Sequence, residues 1–346
     1  MLNYLTAGES HGAALIAILE GIPAGLRLDD NKINYELKRR QSGYGRGRRM
    51  QIEKDKAEVL SGVKKGLTLG SPIALLIKNK DFTIEKLAAI SCPRPGHADL
   101  AGTLKYGFKD IRNVLERASA RETAARVAVG AVCKMLLDEF KIKIASKVLL
   151  IGGECSPQAM MKKIIQAQLK KDTVGGIFEV EALGVPAGLG SYTSADKRLD
   201  ARLSASIMSI PGIKAIGFGL GFGYAHRFGS ACHDAIYYAK NKGYFRKTNN
   251  AGGIEGGISN GEDIIIHACM KPIATLLKPL DSVNINNKKS AKAAVERSDT
   301  CAVESAGVIA EAGAAFVLAD ALLEKFGADA LDDIKLSYKN YLKKIS

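Results

Sequence analysis

Two of the five histidines lie in short glycine-bounded loops that suit proton transfer. In Gly8-Glu9-Ser10-His11-Gly12, an imidazole stands between a hydroxyl and a glycine, where the first apolar stretch breaks. Its unperturbed pKa, near about 6.5, makes it a donor or acceptor at neutral pH. A histidine that only bonds a turn would have the same local sequence. The second loop, Arg94-Pro95-Gly96-His97-Ala98-Asp99, puts a guanidinium, an imidazole and a carboxylate in one compact turn.

Around these histidines the sequence supplies cations. Arg39, Arg40, Arg46, Arg48 and Arg49 follow one another with no acid between Lys38 and Arg49, and Gly43, Gly45 and Gly47 let that backbone bend. Guanidinium groups match phosphate and carboxylate in two-pronged geometry. A solvated basic loop or a nucleic-acid patch is the alternative. Arg117-Ala118-Ser119-Ala120-Arg121-Glu122-Thr123 places two arginines at an expected helix start, where free N–H groups and the helix dipole favour an anion. Gly252-Gly253-Ile254-Glu255-Gly256-Gly257-Ile258-Ser259 is a glycine-rich loop suited to close backbone approach by a flat or anionic ligand. Lys271-Pro272-Ile273-Ala274-Thr275 follows the next strand, and Arg297-Ser298-Asp299-Thr300-Cys301 pairs an arginine with an acid.

Other signatures are missing. The glycine clusters spell neither a P-loop nor a dinucleotide-binding turn, and no histidine or cysteine spacing suggests a metal. His226, His233 and His267 are read as structural.

These loops need a scaffold. The 346 residues are 47% hydrophobic and 25% charged, enough for a large core without disulfides. Six scattered cysteines with no C-x-x-C pair fit a reducing compartment. No leader pattern and no run of about eighteen apolar residues is seen, so the reading is a soluble cytoplasmic protein. Fifty basic against 36 acidic residues give a net charge of +14, which calls for an anionic partner. Tryptophan is absent and aromatics are only 6%, so stacking platforms for nucleic acid are scarce.

Gly- and Pro-bounded β-rich runs predict strands at 13–19, 57–62, 72–78, 144–151, 176–182, 213–218 and 263–270. Helices are expected at 31–40 with Asp30 as cap, at 157–170 after Ser156-Pro157, and at 195–208. Ser119-x-x-Glu122 reads as a capping box opening a helix to about 139, and a second small-residue helix spans about 302–326, stopping at Gly327. A glycine-rich loop, a strand, an arginine and a small-residue helix occur once in each half, a faint duplication whose spacing matches poorly. No linker divides the chain, which reads as one α+β domain.

Taken in order, these segments resemble the chorismate synthase family, over nearly the whole chain. The resemblance implies an α+β fold, a single-domain β-α-β sandwich of antiparallel sheets packed around helices over 1–346, assembled as a homotetramer. It implies a carbon–oxygen lyase of the shikimate pathway to aromatic amino acids. The reaction would be a 1,4-anti elimination of phosphate from 5-enolpyruvylshikimate 3-phosphate, needing reduced FMN without net redox.

By motif position, the catalytic residues would be His11, which protonates the departing phosphate, His97, which donates toward the reduced flavin, and Asp299 near the flavin. Ser10, Arg40, Arg46, Arg49, Arg94 and Arg121 would bind substrate, and Arg40 and Arg46 are also the positions implied for NADPH. Arg117, Ala118, Ser119, Pro211, Gly212, Gly256, Lys271, Pro272, Ile273, Ala274, Thr275 and Arg297 would line the FMN site. No metal is expected, and an external flavin reductase would supply reduced FMN. Ala118 stands where the family often has serine, and Ile273 and Ala274 where it often has threonine and serine. A flavin-dependent oxidoreductase with net hydride transfer and a basic nucleic-acid-binding protein are the rival readings.

Overall fold

The computed structural model describes residues 2–47, 54–240, 243–296 and 298–345. Strands β1 (Asn3–Ala7) and β2 (Ala14–Glu20) form a hairpin whose connection carries His11. Helix α1 (Asp30–Gln41) follows, then β3 (Ala57–Val59), a small hairpin β4 (Val63–Lys64) and β5 (Leu67–Thr68), and β6 (Ile73–Lys78). Short helices α2 (Asp99–Tyr106) and α3 (Arg112–Ala118) lead into α4 (Thr123–Asp138). The second half runs β7 (Lys143–Ile151), α5 (Pro157–Leu169), β8 (Gly176–Leu183), α6 (Leu199–Met208) and β9 (Ile213–Phe218). Two hairpins come next, β10 (Ile236–Ala239) with β11 (Gly243–Arg246), and β12 (Ile254–Glu255) with β13 (Ile258–Ser259). Then come β14 (Ile264–Met270), the pair β15 (Asp281–Val283) and β16 (Ser290–Lys292), α7 (Val303–Phe326) and α8 (Leu331–Ile345).

Two four-stranded antiparallel sheets result, ordered β1-β2-β6-β3 and β7-β8-β14-β9. In each, the first two strands neighbour one another and the last strand inserts beside the second. Each sheet is then followed by a long small-residue helix, α4 or α7. The recurrence expected from the sequence is thus present as a repeated topology. Helix α4 packs on β2 and β6, α7 packs on β7 and β8, and the two helices pack on each other, giving sheet, helices, sheet.

The helix layer is thin because of Gly130. A Cβ there would lie 2.3 Å from the Ala312 Cβ and 2.4 Å from its Cα, so only glycine lets α4 and α7 approach this closely. Helix α7 is long and apolar enough to cross a membrane by composition, with a hydropathy of 1.8 in its most apolar window, but 89% of that window is buried. It is the core helix. Glu304, Glu311 and Asp320 punctuate it, so it contains no uninterrupted run of about eighteen apolar residues.

Local signals misled at two helix starts. The cap of α1 is Asp29, not Asp30; its carboxylate accepts from Asn31 N at 2.9 Å. The Ser119/Glu122 capping box does not form. Ser119 Oγ accepts from Arg121 N, and Glu122 instead accepts from Thr6 Oγ1 and Arg126 Nε. Consequently Arg117 closes α3 rather than opening α4, with a 3₁₀ turn at Ala120–Glu122 between them. By contrast, Ser156 caps α5 over Pro157 as expected, and α7 ends at Gly327.

Candidate active site

The β1–β2 connection docks on α3. Ser10 N donates to Glu116 O at 3.0 Å, and His11 N donates to the Glu116 carboxylate at 2.8 Å. His11 Nδ1 lies 3.0 Å from both carboxylate oxygens. Burial alone would push the Glu116 carboxyl up. The hydrogen bonds from His11, with the charges of His11 and Arg112, outweigh burial and hold it below its ordinary value. Ser10 is buried and accepts from Ser119 Oγ at 3.2 Å.

Behind this loop, Asp55 joins two expected substrate arginines. Arg40 donates to one carboxylate oxygen at 2.7 Å and Arg121 to the other at 2.6 Å. Both guanidiniums are buried, and burial pulls Arg40 below its usual pKa against the opposing pull of Asp55. Arg121 also holds the Asn79 side-chain oxygen, while Asn79 Nδ2 donates to Gly12 O at 2.7 Å. Asn79 therefore ties the histidine loop to the arginine pair.

Arg46 meets Asp299. Its Nη1 lies 2.6 Å from Oδ2, and Gly47 N donates to Oδ1 at 2.6 Å. Gly45 runs against the same segment: Thr300 N donates to Gly45 O, and a Cβ at Gly45 would sit 2.8 Å from Ile164 and 3.2 Å from Cys301 N. With φ at +83°, the position also favours glycine on backbone grounds. Arg46 Nε is buried with no hydrogen-bond partner among the described residues.

The second histidine forms its own corner. Arg94 clamps Asp99 through Nε (2.8 Å), Nη2 (3.0 Å) and its backbone N (3.0 Å), and reaches Thr275 Oγ1 at 2.7 Å. His97 Nδ1 lies 2.5 Å from Asp99 Oδ1. Burial would push the Asp99 carboxyl up, but the hydrogen bonds and charges of His97 and Arg94 hold it well below the usual carboxylate range. Lys271 Nζ donates to Gly96 O, and burial together with the Lys214 charge draws its pKa down.

The segment 281–301 threads these corners together. Ser282 Oγ donates to Pro93 O, Ala294 N to Cys92 O, Arg112 Nη2 to Glu296 at 3.0 Å, and Asp299 takes Arg46. Of the remaining expected residues, Arg117 spends its guanidinium on the Thr6 and Gly8 carbonyls. Ala118 ends α3 beside it. Pro211 and Gly212 precede β9, and Gly212 O accepts from Lys271 N. Gly256 turns the β12–β13 hairpin with open space at its Cβ position. Pro272, Ile273 and Ala274 link β14 to Thr275, and Ile273 O accepts from Thr173 Oγ1. Arg48, Arg49 and Arg297 lie outside the described residues. A cavity of about 540 Å³ beside Ser42 and Tyr44 includes none of His11, His97 or Asp299.

Sequence reasoning missed Glu116, Asp55, Asn79 and Arg112. Each is a polar residue whose partner is distant in the chain. The available signal was weak: an acid directly before Arg117, and one of several acids alternating with lysines after the basic loop. One buried donor and two accessible groups would suit anionic ligands. Arg46 Nε offers a spare donor, the Lys271 ammonium rests on a carbonyl that a phosphate would displace, and Gly256 exposes backbone.

Comparison with known proteins is unambiguous in direction. The family model described as chorismate synthase matches residues 2–323. The chorismate synthase of Thermoanaerobacter pseudethanolicus is 56% identical over 344 residues, covering 99% of this chain and 98% of that protein. That of Aquifex aeolicus is 50% identical over 390 aligned positions, covering 99% and 98%. A solved structure titled "Crystal Structure of Chorismate Synthase" superposes with a TM-score of 0.81 at 43% identity, covering 99% of this chain and 98% of that one.

Proposed function

The chain belongs to the chorismate synthase family and has its phosphate lyase activity on 5-enolpyruvylshikimate 3-phosphate, and from that premise we propose how its residues divide the work. The observation that carries the assignment is the pairing of each loop histidine with a buried carboxylate, Glu116 or Asp99, inside a shell of fixed arginines.

His11 gives a proton to the phosphate as it leaves, with Ser10 beside the substrate. Arg40, Arg46, Arg49, Arg94 and Arg121 hold the substrate's phosphate and two carboxylates. Because Asp55 and Asp99 already fix three of these guanidiniums, their charge needs no reorganisation when negative charge builds on the leaving group. An incoming anion competes with Asp299 for Arg46, and its arrival frees that carboxylate to accept a proton. His97, kept in place by Asp99, delivers a proton on the flavin side.

Reduced FMN is implied by the family. The residues we assign to hold it are Arg117, Ala118, Ser119, Pro211, Gly212, Gly256, the segment from Lys271 to Thr275, and Arg297. When bound, it would supply transient electron donation with no net redox change, so substrate and product would stay at one oxidation level. NADPH at Arg40 and Arg46 would draw on the same guanidiniums as the substrate, which are paired with Asp55 and Asp299. A separate flavin reductase, a cytoplasmic location and one domain over 1–346 complete it. One hydrophobic cluster running from Leu2 to Ile334 supports the single domain. Leu5, Ile16 and Ile18, exposed on the first sheet, would suit a subunit interface of the homotetramer that the family implies.

The test is turnover of 5-enolpyruvylshikimate 3-phosphate with photoreduced FMN. His11→Ala and His97→Ala should each lower it by roughly 10²-fold or more, the scale of general acid–base groups. A variant that turns over at the unaltered rate removes its histidine from the mechanism.

A further inference from the structure

We propose that Glu116 is a positioning residue for His11, holding the proton of neutral His11 on Nδ1 so that Nε2 is the atom that serves the departing phosphate. The proposal deepens the reading of His11 as the acid and rests on it. Glu116 grips the histidine twice, through the ring Nδ1 at 3.0 Å and through the backbone N at 2.8 Å, and its own carbonyl takes Ser10 N. Its side chain is 2% exposed, so no water competes for the carboxylate. A carboxylate accepts only, so the ring atom facing it must carry hydrogen.

Among the described residues, other charged groups near the ring are Asp81 and, beyond Glu116, Arg112. Asp81 lies 4.0 Å from Nε2 on a half-exposed side chain, too far for a hydrogen bond, and is itself bonded by Thr83 Oγ1 at 2.9 Å. On the far side of Glu116, Arg112 Nη1 lies 3.7 Å from Oε1, and Arg112 is anchored by Ala88 O at 2.8 Å and by Glu296 at 3.0 Å. The hydrogen bonds from His11, with a smaller contribution from this cation, keep Glu116 ionised. The proton accounting then closes: the imidazolium gives its Nε2 proton to a phosphate oxygen, the Nδ1 proton stays facing Glu116, and Glu116 never changes state. This is the arrangement by which a buried acid fixes tautomer and ring orientation for a catalytic histidine.

Three measurements test it. In protein carrying ¹⁵N-labelled histidine, without substrate, neutral His11 should show the Nδ1–H tautomer; an Nε2–H tautomer overturns the proposal even if no variant folds. Glu116→Gln should lower kcat by about 10- to 100-fold with little change in KM, and move the basic limb of the kcat profile to lower pH. A residue that only braced the loop would change the fraction of folded enzyme and leave that limb in place. Glu116→Asp, which keeps the charge, should restore the limb. In a His11→Gln background, Glu116→Gln should cost nothing more. Unaltered turnover in His11→Gln would remove His11 itself and sink both readings. Lowered turnover there, with unaltered kcat and pH profile in Glu116→Gln, would overturn this proposal alone.

Discussion

Asp99 illustrates how a buried carboxylate couples the site to stability. Its folded pKa lies below the ordinary value because His97 and Arg94 outweigh the burial that would raise it. Such a group stabilises the fold at pH values above its unfolded pKa, near about 3.9, and the contribution disappears as pH falls toward the lower folded value. The stability difference between the unaltered protein and Asp99→Asn should therefore shrink below about pH 4, as read by urea unfolding across a pH series. A difference that stays constant into acid would mean Asp99 is not held as an anion. At Arg46 the predicted variable is geometry rather than charge. Lysine keeps +14 but cannot make a two-pronged bond. Arg46→Lys should raise KM for the substrate several-fold, and an unchanged KM across a salt series would reduce the loop to a solvated basic face. The sequence made these arginines and both histidines legible because their loops carry glycine and serine next to charge. It hid Glu116 and Asp55 because their partners lie 105 and up to 66 residues away, and only the fold brings them together.

The elements were legible where local patterning and tertiary demand agree. Strands β6, β8 and β14 match the Gly- and Pro-bounded runs because alternation and burial follow the same period of two. The start of α4 was misread because Glu122 finds stronger partners in Thr6 and Arg126 than in the backbone N–H of Ser119. Short helices α2 and α3 escaped notice since neither is long enough to display a full apolar stripe. The close crossing of α4 and α7 is the element on which both sheets depend. Gly130→Val must push Ala312 away and should destabilise the protein by about 1–3 kcal/mol or more, the usual cost of overpacking. Thermal unfolding would show it. An unchanged midpoint would mean that the crossing tolerates a wider spacing.

At the scale of the whole molecule, two similar half-topologies face one another across the small-residue helices, and the proposed site residues sit in their connections. The β1–β2 hairpin supplies His11, the segment before α2 supplies His97, and the stretch from β15 to α7 supplies Asp299. The recurrence was visible in the sequence only as an order of motifs, because the two halves differ in loop length and carry different charges. The basic excess becomes intelligible here: many cations are needed to hold two phosphorylated ligands in one place, and Arg39, Arg40, Arg94 and Arg121 are already fixed by buried acids.

The central claim is an elimination that uses reduced FMN without consuming it. In a sealed anaerobic cuvette, a small known amount of reduced FMN with excess 5-enolpyruvylshikimate 3-phosphate should yield many chorismate molecules per flavin, with one phosphate released for each and the flavin still reduced at the end. One chorismate per flavin, with oxidised flavin accumulating in step, would contradict the account and make the protein a net oxidoreductase.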